Sequence, residues 1–217
     1  MAAARRTITQ ASGTAGEQTG QPSVRVRTLL RAAEKVFAVE GYHGATMRQL
    51  AEAAGVSVSL LMYHFKSKEQ LYYQIFVHRQ NINEQRRARI QAVDLDRPDA
   101  LEEIVAAFIE PVLALHDDPD DLWFARLVLR EAADPSSQQR QVISSLFDPM
   151  AREFIAALRR VLSEKPEGFH EWAYLFSVGA LTQSAFDTRI RNLANAPSTG
   201  DKNASLRSFI TAALRYG

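Results

Sequence analysis

The stretch GYHGATMRQLAEAAGVSVSLLMYHFKSKEQL, residues 41–71, leaves the backbone few choices. Thr46, Ser57 and Ser67 each stand directly before a run of apolar residues at helical spacing. A Ser or Thr hydroxyl there accepts a hydrogen bond from an otherwise unpaired N–H of the first helical turn. Thr46 is followed by Gln49, which completes a capping box. Gly55 supplies a residue that tolerates positive φ. The spacing therefore predicts short helices joined by tight turns. Leu50, Ala51 and Ala54 are expected to pack against Val56, Leu61 and Phe65, the small alanines letting the helices cross closely and steeply. Leu61, Met62 and Phe65 read as core residues rather than surface ones.

Upstream, Val26, Leu29, Leu30, Ala33, Val36 and Phe37 trace one face of a helix that Gly41 ends. Beyond residue 80 the pattern stays helical: ALEEIVAAFIEPVLALH opened by Pro98 or Asp99, DLWFARLVLREAA, QVISSLFDPMAREFIAALRRVLSEK, FHEWAYLFSVGALTQSAFDTRIRNL and ASLRSFITAALRY. No sustained strand alternation and no fixed-period repeat occurs. The expected fold is all-α, an N-terminal helix-turn-helix domain followed by a helical bundle. Residues 1–22, poor in large apolar side chains, read as a disordered tail. Residues 23–72 read as the helix-turn-helix domain and 73–217 as the bundle.

Composition removes several classes. The 217 residues include no Cys, so a thiolate zinc site and a Cys nucleophile are excluded. No run of about 18 apolar residues suggests a membrane helix, and MAAARRTITQ lacks the apolar core of a signal peptide. A cytoplasmic protein is expected. Residues 1–80 carry ten Lys and Arg against five Asp and Glu, whereas the rest carries 16 against 20. That asymmetry points to one part that meets a polyanion. HDDPDD (116–121) lacks the glycine and terminal glutamate of a calcium loop and reads as a solvated turn. GTAGEQTG (13–20) lacks the Lys-Ser/Thr of a phosphate loop. No catalytic constellation, metal site or cofactor motif is found.

A helix, a glycine turn and a second helix form the arrangement in which the second helix enters the major groove of DNA. Phe37, Gly41, Tyr42, Thr46, Leu50, Ala51, Ala54, Gly55, Val56, Ser57, Leu61, Tyr63, His64, Phe65, Ser67, Lys68 and Leu71 make this segment resemble the tetracycline-repressor (TetR) family of transcriptional regulators. Met62 departs from the aromatic often found there. For the C-terminal part the resemblance implies only an architecture that is helical, ligand-binding and dimer-forming.

On this reading Thr46, Arg48, Ser57, Val58, Ser59, Leu60, Tyr63, His64 and Lys68 face a double-stranded operator. Val58 and Leu60 suit a thymine methyl, and Arg25 and Arg27 are further phosphate contacts. In the bundle, Phe108, Trp123, Phe124, Phe154 and Phe176 could wall a small-molecule site, with Arg126 and Arg130 anchoring a carboxylate or phenolate on a mainly apolar effector. Leu175, Val178, Gly179, Leu181, Thr182, Ala185, Phe209, Ala212 and Ala213 form a candidate homodimer face. The expected function is a ligand-responsive repressor bound to a two-fold operator as a dimer. The alternatives are a helical adaptor for a protein partner and an enzyme on a helical bundle, for which no site is seen.

Overall fold

A computed structural model describes residues 23–118, 121–184, 192–193 and 200–217. The expected tail at 1–22 and Ala185 lie outside these, as do two residues of HDDPDD. All regular structure among the described residues is helical.

Helix α1 (Val24–Gly44) is capped by Ser23, whose Oγ accepts from the Val26 N–H. Gly41 adopts φ 74° inside it, and this kink is the stop expected from the sequence. Helix α2 (Met47–Ala53) opens with the complete Thr46–Gln49 capping box. Gly55 turns the chain with φ 65°. Helices α3 (Val58–His64) and α4 (Lys68–His78) are capped by Ser57 and Ser67, each accepting from the N–H three residues on. Then follow α5 (Asn81–Gln91), α6 (Ala100–Leu113) and, after a short 3-10 turn, α7 (Leu122–Ala133).

The run expected as one helix over QVISSLFDPMAREFIAALRRVLSEK is broken. It forms α9 (Val142–Leu146) and α10 (Asp148–Val161), preceded by the single turn α8 (Ser137–Arg140). Pro149, in the first turn of α10, has no N–H to give the preceding turn and so starts a new helix. Gln141 adopts φ 55° between α8 and α9. Helices α11 (Phe169–Gln183) and α12 (Lys202–Tyr216) complete the described chain.

Two apolar cores result. The first gathers Leu29, Phe37, Leu50, Leu61, Phe65 and Phe76 from α1–α4 with Phe124 and Leu127 of α7 and Val142 of α9. The second joins α5, α6, α10, α11 and α12 around Phe108 and Phe154, whose rings stack at 4.1 Å. Val112 packs against both. Helix α4 runs through residues 72 and 73, and its Tyr72, Ile75 and Phe76 are all buried in the first core. The two parts of the chain thus share a helix rather than a linker.

Candidate nucleic-acid interface and effector cavity

Leu50, Ala51, Leu61 and Phe65 are buried, with Ala54 and Val56 packed beside them, as the alternation of small and large side chains predicts. With that face of α3 turned inward, the opposite face is forced out. Ser57, Val58, Ser59 and Tyr63 are exposed, Tyr63 to 79%, and Leu60 and His64 are half-buried beside them. Thr46 and Arg48, at the start of α2, are exposed. Met62 corrects the sequence expectation: it is 40% exposed, because Leu61 and Phe65, a turn apart, already fill the inward face. Lys66, exposed between α3 and α4, adds a cation that the sequence reading passed over.

Lys68 stands differently from the others. It is half-buried, and its Nζ donates to the carbonyls of Tyr42 at 2.8 Å and Ala45 at 3.0 Å, while lying 4.6 Å from the Tyr42 ring. It closes the carbonyl end of α1 against the start of α4. The Tyr42 ring also lies 4.7 Å from the Arg140 guanidinium.

Two buried polar clusters tie α1 and α4 to α7. In one, Arg79 at the end of α4 pairs with Glu34 of α1 and with Asp121 at the start of α7, which also accepts from Arg31. In the other, the Tyr72 hydroxyl donates to Glu131 Oε2 at 2.9 Å, and Arg140 pairs with Glu131 and Asp134 at 2.7 and 2.8 Å. Burial and the Glu131 charge push the Tyr72 hydroxyl far above its ordinary range.

Among α5, α6, α7, α10 and α11 lies a cavity of about 80 Å³. Its walls are apolar, among them Ile82, Val112, Phe124, Val128 and Val178, with Arg79, Asn83, Arg86 and Tyr174 as polar groups. Of the expected ligand residues only Phe124 lines it. Phe108 and Phe154 are fully buried in the second core, with Arg86 laid over the Phe108 ring at 4.0 Å. Trp123 packs against the first core, with Arg126 over its ring at 4.9 Å. Arg126 and Arg130 border a separate open depression with Ala38, Val39 and Leu129, against α1. Phe176 is 67% exposed on the outer side of α11, stacked on Trp172 at 5.8 Å. The five aromatic residues expected to wall one site therefore do not converge on it; Phe147 and Tyr174 line the cavity beside Phe124 instead.

Trp172, Leu175, Phe176 and Gly179 of α11 and Phe209, Ala212 and Ala213 of α12 form an exposed apolar stripe. Leu181, expected on that stripe, is 2% exposed and belongs to the second core, which Val178 also packs against. Thr182 lines the cavity, and its Oγ1 donates to the Val178 carbonyl at 2.9 Å.

The model for bacterial regulatory proteins of the tetR family matches residues 29–75, and that for the tetracyclin repressor-like C-terminal domain matches residues 106–214. The HTH-type transcriptional regulator RutR of Escherichia coli (strain K12) is 42% identical over 59 residues, 27% of this chain and 28% of that protein. The HTH-type transcriptional repressor AcnR of Corynebacterium diphtheriae is 42% identical over 50 residues, 23% of this chain and 26% of that one. The match thus spans between a quarter and a third of each relative. The crystal structure of a TetR-family transcriptional regulator from Bordetella parapertussis 12822 superposes with a TM-score of 0.64 at 16% identity, covering 90% of this chain and 96% of that one.

Proposed function

The chain belongs to the tetR family of bacterial regulatory proteins, DNA-binding transcriptional regulators, and from that premise we propose that it is an effector-released repressor working as a homodimer. Thr46, Arg48, Ser57, Val58, Ser59, Leu60, Tyr63, His64 and Lys68 would meet the operator. Ser59 and Val58 at the start of α3 would reach base edges, and Thr46, Arg48 and Lys68 would hold phosphates. The dimer would form through the stripe of Trp172, Phe176 and Phe209, placing two copies of α3 one helical turn of DNA apart. The domain division at residues 72 and 73 is retained as a functional one, with reading on one side and effector binding on the other. The protein would work in the cytoplasm by binding alone, without covalent chemistry.

The observation that carries the regulatory part is the double duty of Arg79. It lines the cavity and is also held by Glu34 of α1 and Asp121 of α7. An effector of drug size needs a few hundred Å³, so about 80 Å³ must widen on binding. Widening moves α5 against α7, and Arg79 passes that movement to α1 and the helices packed on it. A hundredfold loss of operator affinity needs only about 2.7 kcal/mol of preference for the widened state.

Selection of bound duplexes from a random pool tests the reading, followed by affinity measured against salt and mass by light scattering. A two-fold sequence, a dimer and a steep salt dependence are expected. A monomer with no affinity for any duplex overturns it. Phe209→Glu, which puts a charge in the stripe, is expected to yield monomers that bind the two-fold site at least tenfold more weakly.

A further inference from the structure

The cavity holds a charge that the protein does not neutralise. Arg86 of α5 is 5% exposed and lies in the cavity wall. Its Nε donates to the Phe108 carbonyl at 2.7 Å and its Nη1 to Asn83 Oδ1 at 3.2 Å. With the Phe108 ring, these partners are all neutral. Among the described residues no carboxylate pairs with Arg86, whereas the other buried arginines, Arg79 and Arg140, have two carboxylates each. Burial pulls the Arg86 guanidinium down to about 10, which still leaves it protonated at neutral pH. An unpaired buried charge is among the least favourable groups a fold can contain. A guanidinium carries five N–H donors in a planar fork, and these hydrogen bonds use two of them.

We propose that the effector is an organic monoanion, a carboxylate on an apolar body, whose head is bound by Arg86 and whose body lies on Ile82, Val112, Phe124, Val128 and Val178. The inference rests on the effector-responsive reading above. A planar carboxylate suits the fork better than a spherical anion, because two parallel N–H···O bonds can form. One negative charge balances the one unpaired positive charge. A second would lie against apolar side chains, since Arg79 is already matched by Glu34 and Asp121. The apolar wall provides for the remainder of the molecule. The free cavity admits the head and a few carbons before α5 and α7 must separate, so the length of the body sets how far the bundle opens.

The test titrates the full chain calorimetrically with butanoate, octanoate and 3-phenylpropanoate and with the matching alcohols. At least one acid is expected to bind tenfold or more tightly than its alcohol. Arg86→Met is expected to lose that preference while still binding the alcohol, which also reports that the cavity is intact. Arg86→Lys is expected to recover part of it. Equal binding of acids and alcohols, no binding of any acid at millimolar concentration, or an undiminished acid preference in Arg86→Met overturns the inference. The selected duplex is assayed on the same preparations. Duplex binding without acid preference overturns the anion site and leaves the regulator reading standing. Acid preference without duplex binding does the reverse.

Discussion

Arg79 grips both oxygens of Glu34: its Nε lies 3.0 Å from Oε2 and its Nη2 2.8 Å from Oε1, with the two side chains 8% and 3% exposed. The pair joins the middle of α1 to the end of α4, so a helix of the reading head is fixed to the wall of the cavity. Surface pairs are screened and weak. A buried bidentate pair is different, because neither charge can be left alone without a large penalty. The pair therefore fixes one arrangement of α1 and α4 and resists intermediate ones.

Glu34→Gln is expected to lower stability by about 3 kcal/mol, the low end of the range for breaking a buried pair, since Asp121 remains to Arg79. Urea denaturation measures it. Replacing both partners by Met should restore part of the loss, because neither charge of the pair is then stranded while Asp121 keeps Arg31 alone. An unchanged urea midpoint for Glu34→Gln would show that the pair holds nothing.

Tyr72→Phe removes the hydroxyl that reaches Glu131 and leaves the ring in place between Phe37 and Phe76. Because Arg140 still serves the same carboxylate, the expected loss is about 1 kcal/mol. Of greater interest is the effector response: weakening the tie from α4 to α7 should reduce the factor by which effector lowers operator affinity. The two quantities are read by denaturation and by operator titration with and without octanoate. A full effector response in Tyr72→Phe would remove this cluster from the coupling route.

The helix-turn-helix could be read from the sequence because its determinants are local. A hydroxyl, a glycine and the spacing of Leu50, Leu61 and Phe65 set caps, turn and inward face within a few residues. The cavity could not be, since its walls come from several helices whose rotation about their own axes depends on the whole bundle. Aromatic density on α7 and α11 placed Trp123 and Phe176 correctly on helices but not on the face that meets the cavity. Arg86 did leave a signal. Ile82, Arg86 and Ile90 recur every fourth residue, which places a cation in the only apolar stripe of an otherwise polar helix. The break at Pro149 was also visible as a proline inside a helical run.

Tyr63→Ala and Lys68→Ala should separate contact from support. Tyr63 is 79% exposed and closes no core, so its loss should weaken operator binding about tenfold with an unchanged melting temperature. Lys68 is held by two carbonyls. Its loss should lower the melting temperature and weaken binding about equally for all sequences, with the salt slope reduced by about 1. Affinity and slope equal to the parent's would confine Lys68 to closing the end of α1.

Acid should loosen the attachment of α7 in a defined window. The Asp134 carboxyl is held down to about 2 from an ordinary 3.8, first by hydrogen bonds from the Ser136 hydroxyl and N–H at 2.7 and 2.8 Å, then by Arg140. The imidazole Nε2 of His43 stands 3.8 Å from Oδ2 of the same carboxylate and 2.8 Å from the Ser136 hydroxyl. Asp121 moves in the same direction: burial raises it, and the hydrogen bonds from Arg79 and Arg31 more than offset that. A carboxyl with a depressed folded value binds its proton less readily folded than unfolded. Its contribution is therefore present above about pH 4 and is lost as pH falls toward 2. Asp134→Asn removes the titrating group and should be less stable than the parent at pH 6, with the two urea midpoints converging as pH falls from 4 toward 2. A gap between parent and variant that stays constant from pH 6 to pH 2.5 would show that the protonation of Asp134 is not linked to folding, and the acid lability would then have to be sought at Asp121.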